Sequence, residues 1–323
     1  MKRRELLAGA SAAGLAVAAP AAHAQAYPAK PITVVVPFAA GGPTDALARV
    51  LCQKMSEVLA QQLIVENIGG AGGTIGVNKV AKANNDGYTL LFTHMGTLAV
   101  NIALYKSLPY DSQKDLEPIG LGGTNPMVLV TKKALPATNF AEFQKYVTEN
   151  QKKVQYGMAG IGSASHLGGL MLNSMMKVDV LEIPYKGTGP ALNDLSAGVV
   201  DAYFGDPATL GIIKAGKARA MAVSSPERWP LLPDAASLSE AVKGYEAWNW
   251  YGLDAPPGTP DAIADLLSAA VRKVMAEPEV KKKYDENGLH PATMTRADYA
   301  EFIKRDSEVW GKVIRTGNIK PDE

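Results

Sequence analysis

Ser163, Ser165 and His166 are the residues of this chain whose types could do covalent chemistry. A serine hydroxyl beside a histidine pairs a nucleophile with its base. That use needs a third group to orient the base and a G-x-S-x-G elbow to present the serine. The elbow is absent, and residues this close along a chain rarely meet in the required geometry. The simpler reading makes Ser163 or Ser165 the cap of a following helix, with hydroxyls and N–H groups turned toward a ligand. Two glycine-bearing stretches invite nucleotide chemistry and fail it. Gly70-x-Gly72-x-x-x-Gly76 displaces the third glycine of a dinucleotide fingerprint, and the next strand, residues 88–93, ends without an acidic residue for a ribose. In Gly211 to Ala218, an alanine stands where a phosphate loop needs a hydroxyl for magnesium. That segment reads as a helix ending at Gly216, with Lys214 near its C-terminus. His94, His166 and His290 are far apart, and no Cys/His cluster or carboxylate ladder marks a metal. No catalytic residue, metal or cofactor is expected.

The remaining chemistry is anion binding, and it requires particular elements. Residues 32–36 are an unalternating β-branched run, as expected of a strand covered on both faces. Gly41 and Gly42 follow, where backbone N–H groups can approach a ligand. Thr44 or Asp45 can cap the next helix, whose apolar positions Leu47, Val50, Leu51, Met55, Val58 and Leu59 recur near a period of 3.6. A helix N-terminus facing such a turn is an anion site. Strand and helix signals then alternate. The strand–loop–helix order of residues 32–93 recurs over residues 154–204, with a second glycine-serine loop at residues 160–165. Further strands are expected at 63–66, 126–131, 180–185 and 218–223. Helices are expected at 74–83, 139–150, 166–176, 187–197, 260–275 and 296–315. The pattern predicts an α/β fold with a mostly parallel sheet, in two similar halves, with both loops at the carboxyl ends of strands facing one cleft. Trp248, Trp250 and Tyr251 read equally as a binding platform and as core.

The chain has 323 residues, with 33 Lys and Arg against 32 Asp and Glu. Near-neutrality gives no electrostatic footprint for nucleic acid. Residues 1–24 read as an export leader: Lys2, Arg3 and Arg4, then a short apolar stretch, then Ala22-His23-Ala24 as the cleavage site. Arg3-Arg4 admits either the twin-arginine or the Sec route. The product is expected to be soluble and periplasmic. Cys52 lacks a disulfide partner and falls on the apolar face of its helix, as a buried small hydrophobe.

Several segments together resemble one family. They include Val36-Pro37-Phe38-x-x-Gly41-Gly42-x-x-Asp45, Val65-Glu66-Asn67-x-x-Gly70-Ala71-Gly72-Gly73-x-x-Gly76 and Asp86-Gly87-Tyr88-Thr89-Leu90-Leu91. Leu108-Pro109-Tyr110-Asp111, His166-Leu167, Ile183-Pro184-Tyr185-Lys186-Gly187, Arg228-x-x-x-Leu232-Pro233-Asp234 and Ala255-Pro256-x-Gly258-Thr259-Pro260 follow in order. The chain resembles the periplasmic solute-binding proteins of tripartite tricarboxylate transporters, also called Bug proteins. Ile68-Gly69 replaces the family's frequent Arg-Pro, and Ala236-Ser237 its usual Pro-Thr.

The resemblance implies a two-lobed Venus-flytrap, the type II periplasmic-binding-protein fold. Lobe one would be residues 25–125 plus 249–323 and lobe two residues 126–248, with crossings near Asn125 and Trp248. It implies a small organic carboxylate held by backbone N–H groups, hydroxyls and waters rather than by an arginine. Carried over, the lobe-one contacts are Phe38, Ala39, Gly41 and Gly42, with Gly72 and Gly73. Those of lobe two are Gly162, Ser163, Ser165 and His166, with Tyr185, Lys186 and Gly187 nearby. Asp206 is expected at the far end of the cleft, as a ligand contact or as a helix cap. Its charge disfavours a second ligand carboxylate and suits an amine, hydroxyl or amide. Implied partners are the ligand and a membrane permease of large and small subunits, with the receptor a monomer and no nucleic acid bound. A sensor presenting its ligand state to a membrane kinase, and a periplasmic hydrolase using His166, are the rival readings.

Overall fold

The computed structural model describes residues 27–320 except 42, 162 and 287. The leader reading over residues 1–24, and two expected contacts, Gly42 and Gly162, lie outside the described residues.

The chain first lays down β1 (Ile32–Val36), α1 (Pro43–Leu59), β2 (Leu63–Asn67), α2 (Thr74–Ala81) and β3 (Thr89–His94). A π-helical turn, Gly96–Val100, leads into α3 (Asn101–Leu104) and then β4 (Glu117–Pro126). The next stretch holds β5 (Val128–Lys132), α4 (Phe140–Glu149), β6 (Gln155–Met158), α5 (Ala164–Met176), β7 (Leu181–Pro184) and α6 (Thr188–Ala197). It continues with β8 (Ala202–Gly205), α7 (Thr209–Lys214), β9 (Ala218–Val223), β10 (Ala236–Ser237) and α8 (Leu238–Ala241). The chain returns through β11 (Trp248–Ala255) and ends in α9 (Asp261–Met275), α10 (Pro278–Glu286) and α11 (Arg296–Thr316).

Two sheets result, in the orders β2-β1-β3-β11-β4 and β10-β9-β5-β8-β6-β7. The fold is a two-lobed α/β architecture, one sheet to each lobe. The chain leaves the first sheet after Pro126, enters the second at Val128 and comes back at Trp248. Parallel pairings lead only narrowly. β11 runs antiparallel to β3 and β4, and β5 runs antiparallel to β8 and β9. These are the strands on which the chain enters a sheet from the other lobe, so they arrive against the direction of their neighbours.

Alternate residues of β1 serve different cores, which explains its lack of polar alternation. Ile32, Val34 and Val36 pack with Leu51 and Met55 of α1 and Leu267 of α9. Val35 faces a core shared with α2 and α11. β5 divides in the same way, Val128 and Val130 on one side and Leu129 on the other. Cys52 is buried on the α1 face, where burial pushes its thiol up to about 12. α7 ends at Lys214 and Gly216 takes a left-handed φ of 68°, as the helix-end reading requires.

Three strands, β4, β10 and β11, and three helices, α3, α8 and α10, had no counterpart in the sequence reading. β4 is EPIGLGGTNP, three glycines and two prolines in ten residues, with little intrinsic strand preference. It pairs with β11 along nearly its whole length. A side chain on Gly122 would come within 2.8 Å of the Phe92 ring, so the glycine there is a packing requirement. α10 buries only Val280 and Tyr284 of a highly charged segment, too little to leave a periodic signature.

Candidate functional site

A cavity of about 290 Å³ opens between the lobes where the carboxyl ends of their strands meet. That is toward the small end of small-molecule sites. The first lobe contributes Phe38, Thr44 and His94. The crossings contribute Met127, between β4 and β5, and Asn249 and Tyr251 of β11. The second lobe contributes Ala159 and Ser163 from one loop, Ala164 and Ser165 from the start of α5, then Thr188 and, around β8, Tyr203, Gly205 and Asp206.

Three helices point their N-termini at this space. Thr44 lies in the first turn of α1, Ala164 and Ser165 open α5, and Thr188 opens α6. First-turn N–H groups have no acceptor inside their own helix, and the aligned peptide dipoles add partial positive charge there. No Lys or Arg is among the described residues lining the cavity. The arrangement is suited to an anion through dipoles and hydrogen bonds, with no basic side chain among the described lining residues.

The serines organise the loop that presents α5. Ser163 Oγ donates to Gly160 O at 2.6 Å and accepts the His166 N–H at 3.3 Å, which is an N-cap. Ser165 Oγ accepts the Ala159 N–H at 2.7 Å. The two hydroxyls are 2.9 Å apart. With the Ser163 proton on Gly160, Ser165 is the donor of that bond. Capping is therefore what these serines do, and both still line the cavity.

His94 was not singled out from the sequence. Its Nδ1 accepts the Gly96 N–H at 2.9 Å, which places the ring hydrogen of the neutral form on Nε2. Burial lowers its pKa to about 4, so it is a neutral donor at ordinary pH. Asn249 Nδ2 donates to Asn125 Oδ1 at 3.2 Å and to Tyr251 Oη at 3.0 Å, tying the two crossings together.

Asp206 is the acid among the described cavity residues. Its Oδ1 accepts the Ala208 N–H at 2.8 Å, an Asx turn before α7. Oδ2 has only the Thr188 hydroxyl, at 3.4 Å, and that hydroxyl accepts from Tyr203 at 3.2 Å. Burial raises the Asp206 pKa, and the Ala208 and Thr188 bonds counter part of the rise. The cap and the cleft position thus coexist.

The other expected contacts divide. Gly41 lines an adjoining compartment, but its N–H donates to Asp45 Oδ2 at 2.9 Å. Asp45 also takes Asn67 Nδ2 at 3.0 Å and Arg49 Nε at 3.0 Å, so it braces the turn after β1. Ala39 is exposed and lines neither space. Gly72 and Gly73 line neither; a side chain on Gly73 would come within 2.6 Å of Thr97 and 3.1 Å of the Phe38 ring. Gly73 therefore supports Phe38 from behind. His166 is buried off the cavity, its Nε2 3.4 Å from Glu182 Oε2. Tyr185 donates to Asp194 at 2.7 Å, Lys186 is exposed, and Gly187 donates its N–H to Ala159 O at 3.1 Å. Of the aromatic cluster, Trp250 is core, bonded to Asp306 at 2.7 Å, while Tyr251 faces the cleft.

The family model described as the tripartite tricarboxylate transporter family receptor matches residues 47–319. The chain belongs to that receptor family. Among its relatives, protein BugT of Bordetella pertussis is 35% identical over 309 residues, covering 94% of each chain. A Rhodopseudomonas palustris protein solved with adipate is 33% identical, with a TM-score of 0.81, over 92% of this chain and 100% of that one. MatC of the same species, solved with bound malate, is 35% identical, with a TM-score of 0.75, over 89% and 100%. In this receptor the helix ends around the cavity are the part of the fold suited to anions. Among its described residues, no group of His, Cys, Asp and Glu could hold a metal, and no helix is long and apolar enough to cross a membrane.

Proposed function

We propose that this receptor captures a small organic carboxylate between its lobes in the periplasm and delivers it, as a monomer, to a membrane permease of large and small subunits. The observation that carries the reading is the convergence of three helix N-termini, from both lobes, on one cavity without a basic side chain. Dipoles of this kind suit the single charge of a carboxylate. The adipate and malate in the two solved relatives support the same ligand class.

The lobes are residues 25–125 with 249–323, and 126–248. The ligand carboxylate takes N–H groups at the start of α5 and α6, and His94 Nε2–H meets it from the first lobe. Phe38 and Tyr251 cover the carbon skeleton. Closure then excludes water and strengthens these bonds. The ligand stabilises the closed arrangement by binding it better, and the permease recognises that shape. Residues 1–24 export the chain by the twin-arginine or Sec route and are then removed. The receptor turns nothing over, and it holds no cofactor.

A thermal-shift screen of the mature chain, residues 25–323, tests this reading. Aliphatic di- and tricarboxylates, amino acids and aromatic acids are the probes, with adipate and malate included. At least one should raise the melting temperature in a dose-dependent way, as a ligand of the folded state alone must. Silence across all the acids, or hydrolysis in an ester and amide screen, would overturn it.

A further inference from the structure

The cleft continues past the cavity. Asp206 and Tyr251 also line a second compartment of about 460 Å³, larger than the first. Its walls are apolar: Leu47 and Val50 of α1, Leu210 of α7, and Leu289 after α10. Three of these four leucine and valine side chains are buried, so they form real walls and not a loose rim. Two basic groups border the space, Lys214 at the end of α7 and Lys283 of α10, the latter 3.3 Å from Glu279. Glu286 is the acid on that side. A short acid would leave all of this unused.

The junction suits the passage of an uncharged segment. Asp206 is partly satisfied by Ala208 and Thr188, and Tyr251 presents a ring held by Asn249. Burial also favours the protonated form of Asp206, which lowers the cost of a nearby anion.

We propose that the outer compartment is a second ligand subsite and that the ligand is an elongated dicarboxylic acid with an apolar body. One carboxylate sits at the helix N-termini of the inner cavity. The body passes Asp206 and Tyr251 and lies against Leu47, Val50 and Leu210. The far carboxylate meets Lys214. This assignment rests on the carboxylate-capture reading above.

Calorimetry of the mature chain with unbranched diacids from succinate to dodecanedioate, and with monoacids of equal length, tests it. Affinity should climb about three- to fourfold for each methylene that enters the outer compartment. Monoacids should bind more weakly than diacids of the same length, and Lys214→Gln should remove that difference. Gly211 lines the compartment, and a Cβ added there meets nothing within 4 Å. Gly211→Phe should therefore fill the space and weaken the longest diacids about tenfold or more, with a clearly smaller effect on succinate, and its unchanged melting temperature without ligand would show that it folds. If long diacids bind no better than succinate, or Gly211→Phe weakens all lengths alike, the subsite is overturned while carboxylate capture stands. If no acid of any length binds, the capture reading fails and the subsite with it.

Discussion

Phe38 lies flat against His94, with ring centroids 4.5 Å apart and planes within 12°. The contact joins the turn after β1 to the end of β3. His94 also stands edge-on to Tyr251, at 6.2 Å and 84°, which carries the same wall on to β11. Three strand ends of the first lobe thereby present one continuous aromatic surface. The imidazole within it donates a hydrogen bond without carrying charge.

That neutrality sets a pH dependence. The His94 pKa is pushed down to about 4 by burial, against about 6.5 in an unfolded chain. Between those values the unfolded chain holds the extra proton. Stability should therefore be full above about pH 6.5 and fall as pH drops toward 4. Chemical denaturation across this window should show His94→Phe, which keeps the stack, losing up to about 3 kcal/mol less than the parent. Equal slopes would remove this role from His94.

Asp206 should set the pH dependence of binding. Its pKa is raised by burial, and a ligand carboxylate nearby raises it further. Binding then takes up a proton, so affinity for a simple dicarboxylate should weaken as pH rises through the pKa of the free receptor. Asp206→Asn should flatten the profile. Titrations in buffers of different ionisation enthalpy give the sign. Proton release would instead point to a ligand ammonium beside Asp206.

Ser163→Ala removes the cap of α5 and should cost about 1 kcal/mol of stability. Ser165→Ala leaves the Ala159 N–H without its acceptor, at about 1–2 kcal/mol. Together they should weaken ligand affinity by about 1–3 kcal/mol, because the loop that aims the α5 N–H groups loosens. Urea denaturation and calorimetry separate the two effects. An unchanged dissociation constant in a folded double variant would take this loop out of the site.

Gly73→Ala tests the support behind the aromatic wall. Gly73 has a φ of 89°, and a side chain there would meet Thr97 at 2.6 Å. The change should destabilise by about 1–3 kcal/mol and shift Phe38 off His94. Affinity should fall even where the protein remains folded, whereas Gly189→Ala, in open space, should do neither.

The α/β fold was legible because β1, buried on both faces, reads as an unbroken apolar run, and because the long amphipathic helices α9 and α11 each bury a face that the sequence repeats. The antiparallel crossing strands were not. β4 owes its strand conformation to its partner β11 rather than to its own glycines and prolines. The site divides along similar lines. Ser163, Ser165, Phe38 and Asp206 follow strand ends or sit in glycine-rich loops, so their position was readable. His94, Asn249 and Tyr251 reach the cleft through register: β11 sets Tyr251 opposite His94 across an antiparallel pair. Thr188 carried a local signal, since it directly follows Gly187 as the first residue of α6. His166 was expected as a contact through the resemblance alone, and the sequence carried no sign that its buried ring lies 3.4 Å from Glu182 and off the cavity lining.

The donors around the cavity are divided between two bodies of the fold, α1 and His94 on one, α5 and α6 on the other. Each helix end is worth only about 0.3–1 kcal/mol. On the proposed capture reading neither half alone would be a strong trap, and the grip would act as a coincidence detector. An anion held this way needs no competitor to dislodge it. On that reading, prising the halves apart would be sufficient, and the permease could unload the cargo by mechanical work alone.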